Sequence, residues 1–481
     1  MQHQSNQTQA AGPLPAHRAL YTDLYELTMA QGYFLSGRKD EPAVFDYFFR
    51  KNPFDGGFVV FAGLGDLLSL LQGLSFGQDD LAYLRAQGFK PEFLEYLEGF
   101  EFSADIWATR EGEIVFPLAP VLRVEGSIIE AQIVETVILN YLNFQSLVAT
   151  KAARIRLAAG DRTVLDFGLR RAQGLGGIHA SRAAVIGGAD ATSNVYAGLQ
   201  YGLDISGTQA HAWIQSFDDE LEAFRKYAEF YPGNCILLVD TYDTLRSGVP
   251  NAIQVGKEME AKGHNLKGIR LDSGDQAYLS KEARQRLDEA ELGYVRIFAS
   301  NQLDEHLIRS LIHQGAPIDG FGIGTRLVTG KPSAALDGVY KLSSSGGQPR
   351  LKISENIGKI SFPGTKKVLR LLNEADQFIG DAIVLEEEQE VDRIYHPHQP
   401  EKNTDIRLCK KELLLHPVMK NGEKQIEGLL PAEINRFARQ RLNQLPEEHK
   451  RFEYPHLYKV GISEKLMNLR DEIVEDLKRR F

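Results

Sequence analysis

At 481 residues the chain exceeds the length at which one hydrophobic core usually stops growing, so a large domain with one or two companions is expected. Its 43% hydrophobic and 25% charged residues are ordinary globular values, and its 44 glycines are spread along the chain with no low complexity. A net charge of −10 argues against a nucleic-acid or anionic-membrane surface but leaves room for a local basic pocket that takes small anions. Cys235 and Cys409, with no CxxC, argue against a disulfide framework or a cysteine zinc site.

In chain order, residues 1–17 are polar and Gln-rich, and they read as a disordered tail with neither the basic start nor the apolar core of a signal peptide. No apolar run approaches the ~18 residues of a membrane helix. A soluble protein of a reducing, cytoplasmic compartment is the expectation. Residues 18–130 read as an α+β domain, with a helix over YTDLYELTMAQGYF, strand-like runs at VFDYFF and FVVFAGL, and an alternating, proline-bearing stretch at EIVFPLAPVLRVEGSII. A long apolar helix over about residues 131–159 opens the next region, 131–341.

From Thr163 the texture changes. Short apolar runs (TVLDFG, GLDISG, CILLVDT, LKGIRLDS, VRIFAS and PIDGFGIG) recur at roughly 25–35 residue spacing with amphipathic helix-length stretches between them, which predicts parallel βα units in a barrel or a doubly wound sheet. Beyond Gly330 the alternation stops. The runs VYKLSSSGGQPRLKIS (from Val339), KKVLRLL and DAIVLEE look like antiparallel strands expected to pack on the N-terminal domain, and the last region, 342–481, ends in charged helices. The acidic run Glu386 to Glu388 reads as a solvated surface.

The chemistry collects where the predicted strands end. There the chain reads Asp166-Phe167-Gly168-Leu169-Arg170-Arg171, Ser206-Gly207-Thr208 with His211, Asp240-Thr241-Tyr242-Asp243, Arg270-Leu271-Asp272-Ser273-Gly274-Asp275, Ser300-Asn301, and Gly322-Ile323-Gly324-Thr325. In a βα barrel these ends share the face that carries the active site. Glycines with Ser or Thr let a backbone approach a phosphate, although a tight turn after a buried strand asks for the same residues. Arg170, Arg171 and Arg270 present planar donor forks that suit a carboxylate or phosphate, the plainer alternative being ion pairs with Asp166 or Asp272. Asp240, Asp243, Asp272 and Asp275 are candidates for ribose hydroxyls, for a metal carried by a pyrophosphate or for helix caps. His211, with no HxxxH or HxH nearby, is a poor metal ligand, and no metal-binding residue is assigned.

At LYTDLYELTMAQGYF, FDYFFRKNP, DFGLRRAQG, GGADATSNV, SGTQAHAW, VDTYDT, IRLDSGD and GFGIGT the sequence resembles the nicotinate phosphoribosyltransferases, which are barrel-type (type II) phosphoribosyltransferases. The resemblance implies an irregular βα barrel with an α+β domain built from N-terminal and post-barrel strands and a helical C-terminus. It also implies a homodimer with shared active sites, nicotinate, phosphoribosyl pyrophosphate and ATP as substrates, and Mg²⁺ accompanying the pyrophosphate and ATP. Carried over by position, Tyr21 from the neighbouring subunit and Phe167 would sandwich the pyridine ring, and Thr208 and Arg270 would contact nicotinate. Asp272 would hold the ribose, and Gly322, Gly324 and Thr325 the 5-phosphate. Arg170, Arg171, Asp240, Ser273, Ser300 and Asn301 would complete the substrate site, and His211 would be phosphorylated by ATP. Three alternatives stay open. Asp190 in GGADATSN would suit the amide of nicotinamide, a catalytically silent phosphoribosyl sensor would keep the same barrel, and a phosphosugar aldolase or isomerase would want a strand-end lysine or base.

Overall fold

The computed structural model describes residues 17–353 and 361–480, so the tail expected over residues 1–17 lies outside the described residues except for His17. The chain divides into two compact units, residues 1–150 with 335–481, and residues 151–334.

In the first unit a seven-stranded sheet is built from both ends of the sequence. Pro42–Phe49 runs antiparallel between Leu122–Ser127 and Gly338–Ser345, and Asp105–Ala108 and His416–Lys420 extend the sheet on the Leu122 side. The alternation of VFDYFF puts Phe45, Tyr47 and Phe49 into one core, where Phe45 stacks on Tyr340 at 4.9 Å between ring centroids. The Tyr47 hydroxyl donates to Asn143 at 2.9 Å and that of Tyr340 to the Ala131 carbonyl at 2.7 Å, so both buried phenols are satisfied. Of the post-barrel runs, VYKLSSS joins this sheet. KKVLRLL and DAIVLEE do not. They form a separate six-stranded sheet with Arg393–His396, Gln399–Asp405, Lys410–Leu413 and Val460–Ile462. The acidic run expected to be solvated is split: Glu386 pairs with Arg123 at 2.8 Å, whereas Glu388 is buried and accepts bonds from Ser463 Oγ and the Leu385 N–H.

The second unit is the irregular βα barrel. Six parallel strands lie in the order Ala191–Thr192, Thr163–Asp166, Gly320–Ile323, Arg296–Ser300, Gly268–Leu271, Ile236–Leu238, with helices in the connections. Five of the six expected strands are present. The run GLDISG supplies only a single bridge, Ile205 to Thr192, and the strand in that place is the two-residue Ala191–Thr192. Between the flanking strands, Gly268 and Gly320 leave room for the Phe298 ring, since a Cβ on either would sit within 3 Å of it.

Candidate active site

Parallel register brings the strand ends together. Asp166 is opposite both Ile323 and Thr192, Ser300 is opposite Gly322, and Ala299 is opposite both Leu271 and Phe321. Five adjacent strands therefore deliver Phe167, Gly322, Ser300, Arg270 and Asp240 to one face, the end where parallel βα folds place their chemistry.

Arg270 is the hub. Only 9% exposed, it donates through Nη1 to Asp272 Oδ1 at 3.2 Å and Ser300 Oγ at 3.1 Å, and through Nη2 to the Gln209 carbonyl at 3.0 Å. Its Nε is buried and has no partner among the described residues. Burial pulls the guanidinium below its ordinary pKa, Asp272 and Asp240 offset part of that, and Arg170 adds to it by repulsion. Ser300 Oγ also donates to Asp272, through a very short hydrogen bond. On the next strand Asp240 Oδ2 accepts from the Asp272 N–H at 2.8 Å and from Ser273 Oγ at 2.6 Å, while its Oδ1 is buried without a partner among the described residues. His211 stands beside this network, its Nδ1 3.1 Å from Thr241 Oγ1 and its Nε2 3.8 Å from Asp272 Oδ2, the latter too long for a hydrogen bond.

The remaining carboxylates separate cleanly. Asp243 and Asp275 are helix caps, each accepting from two backbone N–H groups with one oxygen. Asp166 is buried and takes the Gly168 N–H and the hydroxyls of Ser181 and Thr192; burial pushes its carboxyl up despite those three bonds. It forms no ion pair with Arg170 or Arg171, which are exposed and have no side-chain partner among the described residues. Asp190 is engaged elsewhere, its Oδ2 accepting from Arg156 Nη2 at 2.5 Å and from the Val164 N–H at 2.8 Å.

Gly322 has a steric reason that the motif did not reveal: a Cβ there would meet the Phe167 ring at 2.5 Å, so the glycine is what admits the aromatic to the barrel face. Gly324 lies against the Phe167 carbonyl, 3.0 Å from where its Cβ would be, and Thr325 opens the short helix Thr325–Val328. Asn301 is exposed and left-handed (φ 81°). Thr208 donates to the Gln209 carbonyl at 3.2 Å. Tyr21 belongs to the first unit, where it is 37% exposed and donates to Asn140 at 3.0 Å.

Two residues join the site that sequence reasoning did not single out. Thr241 was visible only as a neighbour of Asp240. Gln209, 6% exposed with both amide ends unpartnered among the described residues, gave no signal at all. Among the described residues no group of three His, Cys, Asp or Glu side chains is arranged to hold a metal, and no helix is long and apolar enough to cross a membrane.

Known proteins align with this chain over most of its length. Family profiles described as the nicotinate phosphoribosyltransferase (NAPRTase) N-terminal domain, the NAPRTase family and the NAPRTase C-terminal domain match residues 20–143, 163–378 and 365–470. A protein named nicotinate phosphoribosyltransferase from Bacillus subtilis is 42% identical over 474 residues, covering 96% of each chain. One of the same name from Caenorhabditis elegans is 38% identical over 514 residues, covering 93% of this chain and 92% of that one. The crystal structure of human nicotinic acid phosphoribosyltransferase superposes with a TM-score of 0.84 at 31% identity, covering 94% of this chain and 99% of that one.

Proposed function

Because the chain belongs to the nicotinate phosphoribosyltransferase family, we propose that it joins nicotinate to phosphoribosyl pyrophosphate in NAD biosynthesis, with ATP turnover through a phosphorylated His211. The observation that carries the reading is Arg270: a buried cation with an unused donor, held in place by Asp272 and Ser300. A pyridine carboxylate leaving water needs such a partner. Thr208 lies three residues before His211 on the adjoining segment, Phe167 supplies an aromatic ring, and the exposed Arg170 and Arg171 are available for phosphate.

The pyridine nitrogen carries no proton and needs no general base. Its lone pair forms the bond to C1 of the ribose as the bond from C1 to the pyrophosphate oxygen breaks, and pyrophosphate departs with that electron pair. Positive charge grows on the ribose ring meanwhile, and Asp272 and Asp240 supply the stabilising negative charge. Mg²⁺ bound with the pyrophosphate would neutralise the leaving group, and the unpartnered Asp240 Oδ1 fits a role in holding it or its water. In the tautomer whose Nδ1–H donates to Thr241 Oγ1, His211 Nε2 keeps its lone pair, which suits attack on the terminal phosphorus of ATP: an N–P bond forms, the P–O bond to ADP breaks, and water later releases phosphate.

The nicotinamide alternative rested on Asp190, and its carboxylate is committed to Arg156 and the Val164 N–H, which favours the acid as substrate. A homodimer is supported by exposed apolar side chains on each unit, Tyr21, Leu24, Tyr25 and Met29 on one and Val195, Tyr196, Leu199 and Ile205 on the other. Assay of both pyridines with phosphoribosyl pyrophosphate, with and without ATP, tests the reading. Preference for nicotinamide overturns the substrate, and no turnover of either leaves the sensor. Retention of γ-phosphate label from ATP in His211→Ala overturns the phosphohistidine.

A further inference from the structure

The loop that follows Ser300 is built in an unusual way. Asn301 and Gln302 are both left-handed, with φ of 81° and 56°, a conformation that side chains other than glycine rarely adopt, and two in succession need an outside constraint. The constraint comes from the two residues that close the loop. Glu305 is fully buried, 2.5 Å from Lys151 Nζ and 2.8 Å from Arg154 Nε. Asp304 is nearly as buried and divides its two oxygens. Oδ1 caps the helix Glu305–His313, accepting the N–H groups of His306 at 3.1 Å and Leu307 at 2.9 Å, and Oδ2 accepts from Arg326 Nη1 at 2.7 Å.

A helix cap needs one oxygen, and serine or asparagine supplies it as well as aspartate. The second oxygen and the charge are therefore surplus to capping, and they are spent on the neighbouring loop. Arg326 follows Gly324-Thr325 at the end of the adjacent strand, whose Gly322 lies opposite Ser300. The ion pair thus ties the backbone after Ser300 to the backbone at Gly324-Thr325, where the 5-phosphate is expected. Arg326 itself is not saturated, because its Nε is buried without a partner among the described residues.

Resting on the transferase reading above, we propose that Asp304 is a positioning residue for the ribose 5-phosphate, acting through Arg326 to set the separation of two loops that belong to different strands. It touches neither substrate nor the reacting atoms. A cradle of fixed width binds phosphate without first having to order itself, so loss of the pair is felt by the phosphorylated substrate and not by nicotinate.

The test is steady-state kinetics of the full-length protein carrying Asp304→Asn, which keeps the cap oxygen and removes the charge that holds Arg326. The expected result is a KM for phosphoribosyl pyrophosphate raised about tenfold, with the nicotinate KM within about twofold of wild type and kcat changed less than the affected KM. Arg326→Gln breaks the pair from the other side with the cap intact and should give the same pattern. The double variant should be no worse than either single one, as coupled partners require. An unchanged phosphoribosyl pyrophosphate KM, an equal rise for both substrates, or additive losses would overturn the proposal. Should Asp304→Asn not fold, Arg326→Gln alone decides it. Wild-type turnover of nicotinate tests the transferase reading separately; if it is absent, calorimetric titration of wild type and Arg326→Gln with phosphoribosyl pyrophosphate still decides the inference, equal affinities overturning it.

Discussion

Arg270 in the barrel and Arg370 in the first unit are both buried among carboxylates, yet they are opposite kinds of site. Arg370 is fully buried, and each of its three nitrogens has a partner. It donates to Asp381 at 2.6 and 3.1 Å, to Glu113 at 2.9 Å and to the Ile114 carbonyl at 2.7 Å, with the Phe378 ring centroid 4.1 Å from the guanidinium carbon. Burial works against its charge, but Asp381 and Glu113 outweigh it and hold the group above its ordinary pKa. Arg270 keeps a buried donor unused, and its surroundings leave it below its ordinary pKa. A buried arginine with every nitrogen partnered and its charge matched is a strut, whereas one that its surroundings under-compensate is a candidate socket for an anion.

The contrast breaks if the strut can be removed cheaply. Arg370→Met should cost about 3–5 kcal/mol, because Asp381 is left buried without a counter-charge and Glu113 keeps only Arg441. Urea unfolding reads the loss, while kcat/KM of the folded fraction should stay near wild type. Arg270→Gln should show the reverse. We expect kcat/KM for nicotinate to fall by about 3 kcal/mol, over a hundredfold, with little change in melting temperature. A melting point that falls as far as that of Arg370→Met would make Arg270 a strut as well.

Glu26 sharpens the comparison from the acidic side. Burial pushes its carboxyl up, hydrogen bonds from Gln132 and Tyr25 hold it back, Glu135 and Asp23 add repulsion, and the outcome is about 7. A carboxylate raised in the folded state favours the protonated form, so stability falls as pH rises from 4.5 towards 7 and is level above that. Glu26→Gln should therefore gain about 1–3 kcal/mol on wild type between pH 5 and 8, read from unfolding midpoints across that range. The smallest effect belongs to Asp190→Asn. Its half-exposed pair with Arg156 should be worth about 0.5–1 kcal/mol, and the preference for nicotinate over nicotinamide should not move.

Much of the barrel was legible because parallel strands are apolar runs and their C-terminal ends are polar, so Arg270, Asp272 and Ser300 announce themselves by position. The strand Ala191–Thr192 was not, since two residues carry no periodicity and its flanks, GGAD and SN, look like a loop. GLDISG had the better pattern and contributes one bridge. Gly322 read as a phosphate residue; that the ring of Phe167, just past another strand, also requires a glycine there was illegible, since no local pattern encodes a neighbour more than a hundred residues away. That some of the four strand-end aspartates would cap helices was legible, but that these are Asp243 and Asp275 was not. Gln209 and the second oxygen of Asp304 were illegible, because what marks them is the presence or lack of a partner in space.

The split first unit has a consequence for synthesis. Ala43 pairs with Ser345, so the strand Pro42–Phe49 leaves the ribosome with one edge open and waits for about 300 further residues before its partner exists. At roughly 5–20 residues per second that delay is about 15–60 s. During it the whole barrel is made and can fold, since the strands of residues 151–334 bond only to one another. The hydrophobic edge at VFDYFF is meanwhile a nascent-chain liability, exposed to other ribosomes' products and to chaperones. Translation that stalls after the barrel would release a barrel attached to an unfinished sheet.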